Sequence, residues 1–408
     1  MRTYPLLACT SLLAACGGGG GTQEISSAPP PPSGSTATHS FVAPTEAKTY
    51  VGIGGSQVYQ YLTDDRECCD QQGQTYAGNA TTVRDSGVSI TYDPRDAIFT
   101  LTVQDAKSGA NTRTRFQDPG SRTDFGGAHE PQWGTPRLTN GNIAYLQAGD
   151  GNPRAPYEMS GTGTIDAGDN DTPPYGSPGS AYQATSFFYL KPGAETKYVT
   201  FAGYARNAYT FVENDIGGRL TEVINHTLER GAFAYGELTD SKAVPVIGSG
   251  TYRGSMLASM VFNPTLDGQD VGGSTVLPSY FQWIEGSATL NVDFAKSLFD
   301  FALTGSVLAP QLDYFTDPQR AVIAAGATFS ASGKGNINLV NFGGFKGQMD
   351  AAAFVNPDGT RREVTIAGSS IDGGFYGPKA DEVGGGFRIV GGKPDERIDI
   401  LGAFVGTK

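Results

Sequence analysis

Short runs in which apolar and polar residues alternate recur through most of the chain, and they are cleanest in its second half. Ala288 to Phe294 puts Ala288, Leu290, Val292 and Phe294 on one side and Thr289, Asn291 and Asp293 on the other. This period of two is that of a half-buried strand. Lys296 and Ser297 turn the chain, and Leu298 to Leu303 runs back. Asn356-Pro357-Asp358-Gly359 is a turn sequence by the chemistry of its residues, set between Ala353-Phe354-Val355 and a return over Glu363 to Ala367. Phe233 to Tyr235, Gly250 to Val261, Ala327 to Gly335, Phe345 to Ala352, Gly386 to Val390 and Ile398 to Val405 are further runs, which makes about eight or nine strands joined as hairpins. Eight antiparallel strands close into a barrel just wide enough to be filled by side chains, and closure removes exposed sheet edges. The small Ala and Gly beside large aromatics suit a filled interior, which directs binding to loops or to the junction with the first domain.

The first half also reads as strands, with longer polar connections. Tyr50-Val51, Val58 to Leu62, Val88 to Tyr92 and Ile98 to Val103 alternate, and Ser186 to Leu190 and Tyr198 to Tyr204 are further strands. Leu138-Thr139-Asn140-Gly141-Asn142-Ile143 carries an Asn-Gly hairpin signal. Gly168 to Ser180 is too long for a simple connection and is a candidate contact loop. The pattern therefore predicts an all-β protein, with a strand-rich domain over residues 41–215 and an eight-stranded antiparallel β-barrel over 216–408.

Composition agrees with many strands and tight turns: 57 of 408 residues are Gly, 11% are aromatic and only 17% are charged. The net charge of −12 gives no electrostatic basis for binding nucleic acid. It favours a basic partner, or serves solubility.

The first forty residues follow a different pattern. After Met1 and Arg2, Tyr4 to Ala15 are apolar except for Thr10 and Ser11. That run is too short to span a bilayer as a helix and reads as the core of a signal peptide, residues 1–15. It ends Leu13-Ala14-Ala15-Cys16, which resembles the bacterial lipobox. The resemblance implies cleavage before Cys16 and acylation of that cysteine, with several acyl chains making a stable membrane anchor. Residues 16–40 are Gly, Ser, Thr and Pro-rich, with four prolines at Pro29 to Pro32. This composition cannot bury enough apolar surface to fold, and it makes a tether that holds the folded part clear of the lipid. Gly17 after the cysteine resembles the outer-membrane sorting pattern.

Candidate chemistry is sparse. The histidines are His39, His129 and His226, with no His-Glu-x-x-His pair and no Gly-x-Ser-x-Gly elbow. The glycine clusters do not form a dinucleotide fingerprint, and no cofactor motif appears. Asp166, Asp169 and Asp171 lack the turn glycine and bidentate glutamate of an EF-hand loop. Adjacent Cys68 and Cys69 can close a vicinal ring, pair with another chain or stay reduced, and no neighbouring Cys-x-x-Cys or His pair makes them a zinc site. An enzymatic reading finds no support. His129 and Trp133 share a loop sequence and Tyr175 lies in the long loop, so these three are the candidate ligand contacts, because loop Tyr and Trp anchor interfaces.

One motif is more specific. Gly373-Gly374-Phe375-Tyr376-Gly377-Pro378-Lys379-Ala380-Asp381-Glu382-Val383-Gly384-Gly385-Gly386-Phe387 is followed by Gly402-Ala403-Phe404-Val405-Gly406. Pro378 fits the first position of a short helical turn, with Ala380 and Glu382 inside it and Gly384 ending it. The two blocks resemble the closing motif of the barrel in the transferrin-binding protein B family: Gly-x-Phe-Tyr-Gly-Pro-x-Ala-x-Glu-x-Gly-Gly-x-Phe, then Gly-Ala-Phe-x-Gly. The resemblance implies an outer-membrane surface lipoprotein, with a smaller handle-like half ahead of the barrel. It implies capture of an iron-carrying host protein and transfer of the cargo to a TonB-dependent receptor, with haem, a haem protein or another nutrient-carrying ligand equally open for this chain. Family members with two lobes carry two handle-plus-barrel units, whereas this chain has room for one, and no ligand contact belongs to the motif. Related barrels occur in factor-H-binding lipoproteins, so a surface interaction protein with no nutrient role is the alternative class.

Overall fold

The structure is a computed structural model, and it describes residues 40–64, 70–80, 86–95, 97–105, 109–117, 136–149, 181–216, 219–266, 269–271, 274–276, 279–310, 321–340 and 343–408. Among these, every regular element is a β-strand, as the alternation predicts.

Three main sheets form. The first holds β1 (Lys48–Val51), β4 (Val88–Asp93), β5 (Ile98–Gln104) and β6 (Asn111–Gln117), side by side in that order. The second holds β2 (Ile53–Asp64), β3 (Asp70–Ala80), β7 (Ile143–Gly149), β8 (Ala181–Leu190), β9 (Val199–Ile216) and β10 (Arg219–Gly236), in the spatial order β3-β2-β10-β9-β8-β7. The third is closed. Its strands are β11 (Ser249–Asn263), β14 (Tyr280–Asp293), β15 (Leu298–Val307), β16 (Thr328–Asn338), β17 (Gly344–Val355), β19 (Ile366–Tyr376), β20 (Glu382–Gly391) and β21 (Arg397–Thr407). Pairing of β16 with β17 completes the ring, and the short β18 (Arg361–Glu363) precedes β19 on the same side of β17. A small hairpin, β12 (Gln269–Val271) with β13 (Ser274–Val276), joins β11 to β14. All the pairings are antiparallel, and eight strands close the barrel.

The layers follow from which faces are apolar. Leu101, Phe99 and Phe116 of the first sheet meet Phe187, Tyr189 and Tyr204 of the second. Phe99 lies 4.8 Å from Tyr189 and 5.5 Å from Phe187, centroid to centroid. The other face of the second sheet, with Phe188, Leu190, Phe201, Ala232 and Ala234, packs on Leu257, Trp283, Tyr376, Ala403 and Val405 of the barrel wall. The second sheet is thus a middle layer, and the continuous apolar run from Phe187 to Leu190 reflects burial on both faces. Side chains fill the barrel itself: Phe301 meets Phe404 at 4.6 Å, Phe299 meets Phe345 at 5.2 Å and Phe345 meets Phe375 at 5.5 Å.

Three expectations differ from the structure. The first places the barrel from residue 216, including Phe233 to Tyr235. In fact 199–216 and 219–236 form one long hairpin of the middle sheet, running from Arg219↔Ile216 to Gly236↔Val199, and the barrel strands begin at Ser249. Phe233 and Tyr235 face the first sheet; alternation reveals a strand but not which sheet it joins. The second places a helical turn over Pro378 to Gly384. Only 377–380 form a turn, because Ala380 takes a left-handed φ of 54° and ends any right-handed turn, and Glu382 and Gly384 already belong to β20. The third is the Asn-Gly hairpin: the turn exists, with Ile143 N donating to Asn140 O, but the described residues before it, 136–140, form no strand.

Candidate functional site

The closing motif folds into the junction between middle sheet and barrel. Along β19 the side chains alternate, so Phe375 points into the barrel core and Tyr376 points out into the interlayer cluster. Gly377 then turns the chain with a φ of 83°, and a Cβ there would sit 2.6 Å from the Tyr198 ring. Both facts demand glycine. The turn is tied to the segment that leaves β10. Thr239 N donates to Phe375 O at 2.8 Å, Thr239 Oγ1 donates to Gly377 O at 2.6 Å, and Gly377 N donates to Glu237 O at 3.0 Å. The Ala380 carbonyl accepts from the Tyr252 hydroxyl at 2.8 Å, which pins the turn to β11.

Glu382 completes the clasp. Its carboxylate accepts the backbone N–H of Lys197 at 2.6 Å and of Tyr198 at 2.8 Å, both from the turn between β8 and β9. The residue is buried. Burial pushes its carboxyl above the usual glutamate value, and the backbone N–H donors oppose that shift without cancelling it. Two residues on, Gly384 lets Val199 approach so closely that a Cβ would meet its Cγ2 at 2.5 Å. The motif's Tyr, Gly and Glu positions thus each serve the contact between barrel and sheet, while Ala380 fixes the turn within the barrel.

The opposite end of the same wall carries a buried charge. Ile398 and Ile400 of β21 point inward, so Asp399 between them points out, and it has no exposed surface. Arg388 of β20 grips both of its oxygens, Nε to Oδ1 at 3.1 Å and a terminal nitrogen to Oδ2 at 2.7 Å. Gln57 of β2 donates to Oδ1 at 2.7 Å, and Arg397 stands 3.6 Å away. Between this pair and the Glu382 clasp the junction is apolar, with Phe188 edge-on to Trp283 at 5.2 Å and Tyr59 edge-on to Phe281 at 5.5 Å. Glu195 adds a rim contact, accepting from Ser255 Oγ at 2.7 Å and from Asn140 Nδ2 at 2.8 Å. Chemically this is a fastening: its polar atoms face one another across the two layers rather than an open cleft.

The sequence candidates fall elsewhere. Cys16, His129, Trp133 and Tyr175 lie outside the described residues, as do Cys68, Cys69, Asp166, Asp169, Asp171 and the 168–180 loop. His226 is in β10, paired with Tyr61 and Tyr209. Among the described residues no group of three or more His, Cys, Asp or Glu is placed to hold a metal ion, and no helix is long and apolar enough to cross a membrane. Sequence reasoning missed Asp399 and Gln57; the available signal was a single acid inside the apolar run Ile398 to Val405.

Residues 244–408 match a family described as the C-lobe and N-lobe beta barrels of Tf-binding protein B. The match takes in every strand of the barrel from β11 to β21, and the barrel is in this sense transferrin-binding protein B-like. Among solved structures, the chain is similar to a double mutant of the vaccine antigen Transferrin Binding Protein B from Haemophilus parasuis Hp5, at 12% identity over 88% of this chain and 76% of that one, with a TM-score of 0.26. Intact Ap-TbpB, with N and C lobes, is matched at 12% identity over 90% of this chain and 80% of that one, with a TM-score of 0.26. The isotype 1 protein from serogroup B Neisseria meningitidis is matched at 12% identity over 89% and 77%, with a TM-score of 0.21. A comparison with curated protein sequences gives no match.

Proposed function

We propose that this chain is a lipid-anchored lipoprotein of the bacterial outer-membrane surface. It binds an iron or haem source, or another nutrient-carrying ligand, and presents it to a TonB-dependent receptor. In this reading residues 1–15 are a cleaved signal, Cys16 is acylated and residues 16–40 are the tether. The observation that carries the reading is the transferrin-binding protein B-type barrel over 244–408. Its side-chain-filled core supports binding on loops instead of within the barrel, and His129, Trp133 and Tyr175 are the residues we assign to contact. The role is binding rather than catalysis.

The test is growth of a deletion strain under iron chelation, with transferrin, haemoglobin, haemin or ferric salt as the sole iron source. A defect on one protein or haem source with normal growth on ferric salt supports the reading and names the cargo class. Equal growth on every source overturns it and moves the assignment to a surface interaction lipoprotein with no nutrient role.

A further inference from the structure

One end of the molecule gathers half of the exposed large apolar side chains among the described residues. Val246 and Ile247, 70% and 77% exposed, stand on the segment between β10 and β11. Leu298, 50% exposed, follows the turn between β14 and β15, and Val340, 93% exposed, tips the turn between β16 and β17. Hydrogen bonds hold the three turns together: Phe294 N donates to Gly248 O at 3.0 Å, and Ile337 N donates to Ser297 O at 2.8 Å. Four side chains on neighbouring tips make a patch, not scattered singles.

The described chain starts at this same end. Phe41 lies 5.8 Å from Tyr235, and Lys48 pairs with Glu237 at 2.6 Å, where β10 hands over to the Val246 segment. Lys242, Lys296, Lys379 and Lys408 stand on these turns and at the chain end beside Asp240, Asp293 and Asp381, with Lys296 paired to Asp293 at 2.8 Å. Local charge is therefore close to balanced although the whole chain carries −12, so this end meets little electrostatic repulsion from an anionic surface.

We propose that Val246, Ile247, Leu298 and Val340 form a foot that seats on the lipid bilayer holding the anchor. The proposal rests on the acylation of Cys16. A chain from Cys16 to Ser40 reaches at most about 80 Å, and a tethered contact of this kind acts at a high effective concentration, so a shallow apolar foot suffices. The tether then lets the folded part rest on the membrane instead of holding it clear. The far end of the barrel, with the Asn356 to Gly359 turn, points outward.

The test uses the full-length chain purified from the outer membrane and reconstituted in vesicles of phosphatidylethanolamine and phosphatidylglycerol with brominated acyl chains. Intact mass first reads the acyl groups on Cys16. Emission is then read for Ile247→Trp, Val340→Trp and, at the opposite end, Asp358→Trp, each against the unsubstituted chain. The expected result is an acylated chain whose emission is lost for the first two variants and kept for the third. An acylated chain with no loss at 247 and 340, or with equal loss at 358, overturns the foot while the anchor stands. A chain that sediments as a dimer without such loss assigns the patch to a second copy and overturns it too. A chain with no acyl group overturns the anchor and the foot together.

Discussion

Replacing Glu382 with alanine removes the acceptor from two backbone N–H groups, those of Lys197 and Tyr198. A buried donor left without a partner costs about 1–3 kcal/mol, so two cost about 2–6 kcal/mol. Part of that is offset, because the charged carboxylate no longer has to be kept out of water; its raised pKa records that cost. The expected net loss is about 2–4 kcal/mol in the free energy that holds the β8–β9 turn to the barrel. Whole-chain urea denaturation reads the summed loss, without locating it in the clasp. Hydrogen exchange reads the clasp directly. Protection of the Lys197 and Tyr198 amides should fall by about 30- to 1,000-fold, at about 1.4 kcal/mol per decade, while the β15 and β16 amides on the far wall stay protected. A fall of less than about fivefold at those two amides, or an equal fall everywhere, would refute the reasoning.

The same residue sets a pH test. The folded carboxyl keeps its proton to higher pH than the unfolded one, whose ordinary value is 4.5. Between the two values the folded state binds more protons, so stability falls as pH rises. Glu382's contribution is fully present below 4.5 and is lost as pH rises through the folded value. The advantage of the unsubstituted chain over E382A should therefore narrow as pH climbs from 4.5. A widening advantage would mean that the two N–H donors outweigh burial.

Two further substitutions probe the rest of the junction. Asp399→Ala leaves Arg388 and Arg397 facing a buried void and should cost about 3–5 kcal/mol by urea denaturation, whereas the double variant with Arg388→Leu should recover part of that loss; additive losses would show that the pair is not coupled. Gly377→Ala forces a Cβ against the Tyr198 ring at a left-handed φ and should cost about 1–3 kcal/mol by the same assay, with the Thr239 amide losing exchange protection.

What could be read from the sequence follows from how side chains meet solvent. Ala288 to Phe294 and Leu298 to Leu303 were legible as strands, with the turn between them, because β15 lies on the open side of the barrel and buries every second residue. Ile398 to Val405 reads as a strand too, but its lack of alternation carried a second message. Ile398, Ile400 and Phe404 fill the barrel while Asp399, Leu401, Ala403 and Val405 face the middle sheet. A continuous apolar run in a barrel of otherwise alternating strands marks the wall that another layer covers. The boundary at 215 was not legible, because Phe233 and Tyr235 alternate as a barrel strand would and only their register with Ala202 and Thr200 of β9 assigns them to the middle sheet. Glu382 was legible as a motif position but not as a clasp, since Lys197 and Tyr198 lie far away along the chain.

The motif that gives the family resemblance is spent on architecture. Tyr376, Gly377, Glu382 and Gly384 each fasten or shape the junction and Ala380 pins the turn to β11, so these residues are committed to the fold and none is left to face a ligand. On the proposed reading, specificity resides in segments that the packing leaves free to vary. The topology says where one such segment sits. The chain leaves the middle sheet at Gly149 and re-enters at Ala181, and these strand ends pair near Ala184 and Thr210, at the end of the sheet opposite Tyr235 and Phe41. The segment holding Tyr175 is therefore rooted at the end away from the start of the described chain. A chain anchored through Cys16 would put those roots outward, toward an arriving ligand. Exchanging residues 150–180 for a short Gly-Ser linker between Gly149 and Ala181 should leave the barrel and its clasp intact while abolishing growth on the preferred iron source; retained growth would move the contact to the segment holding His129 and Trp133.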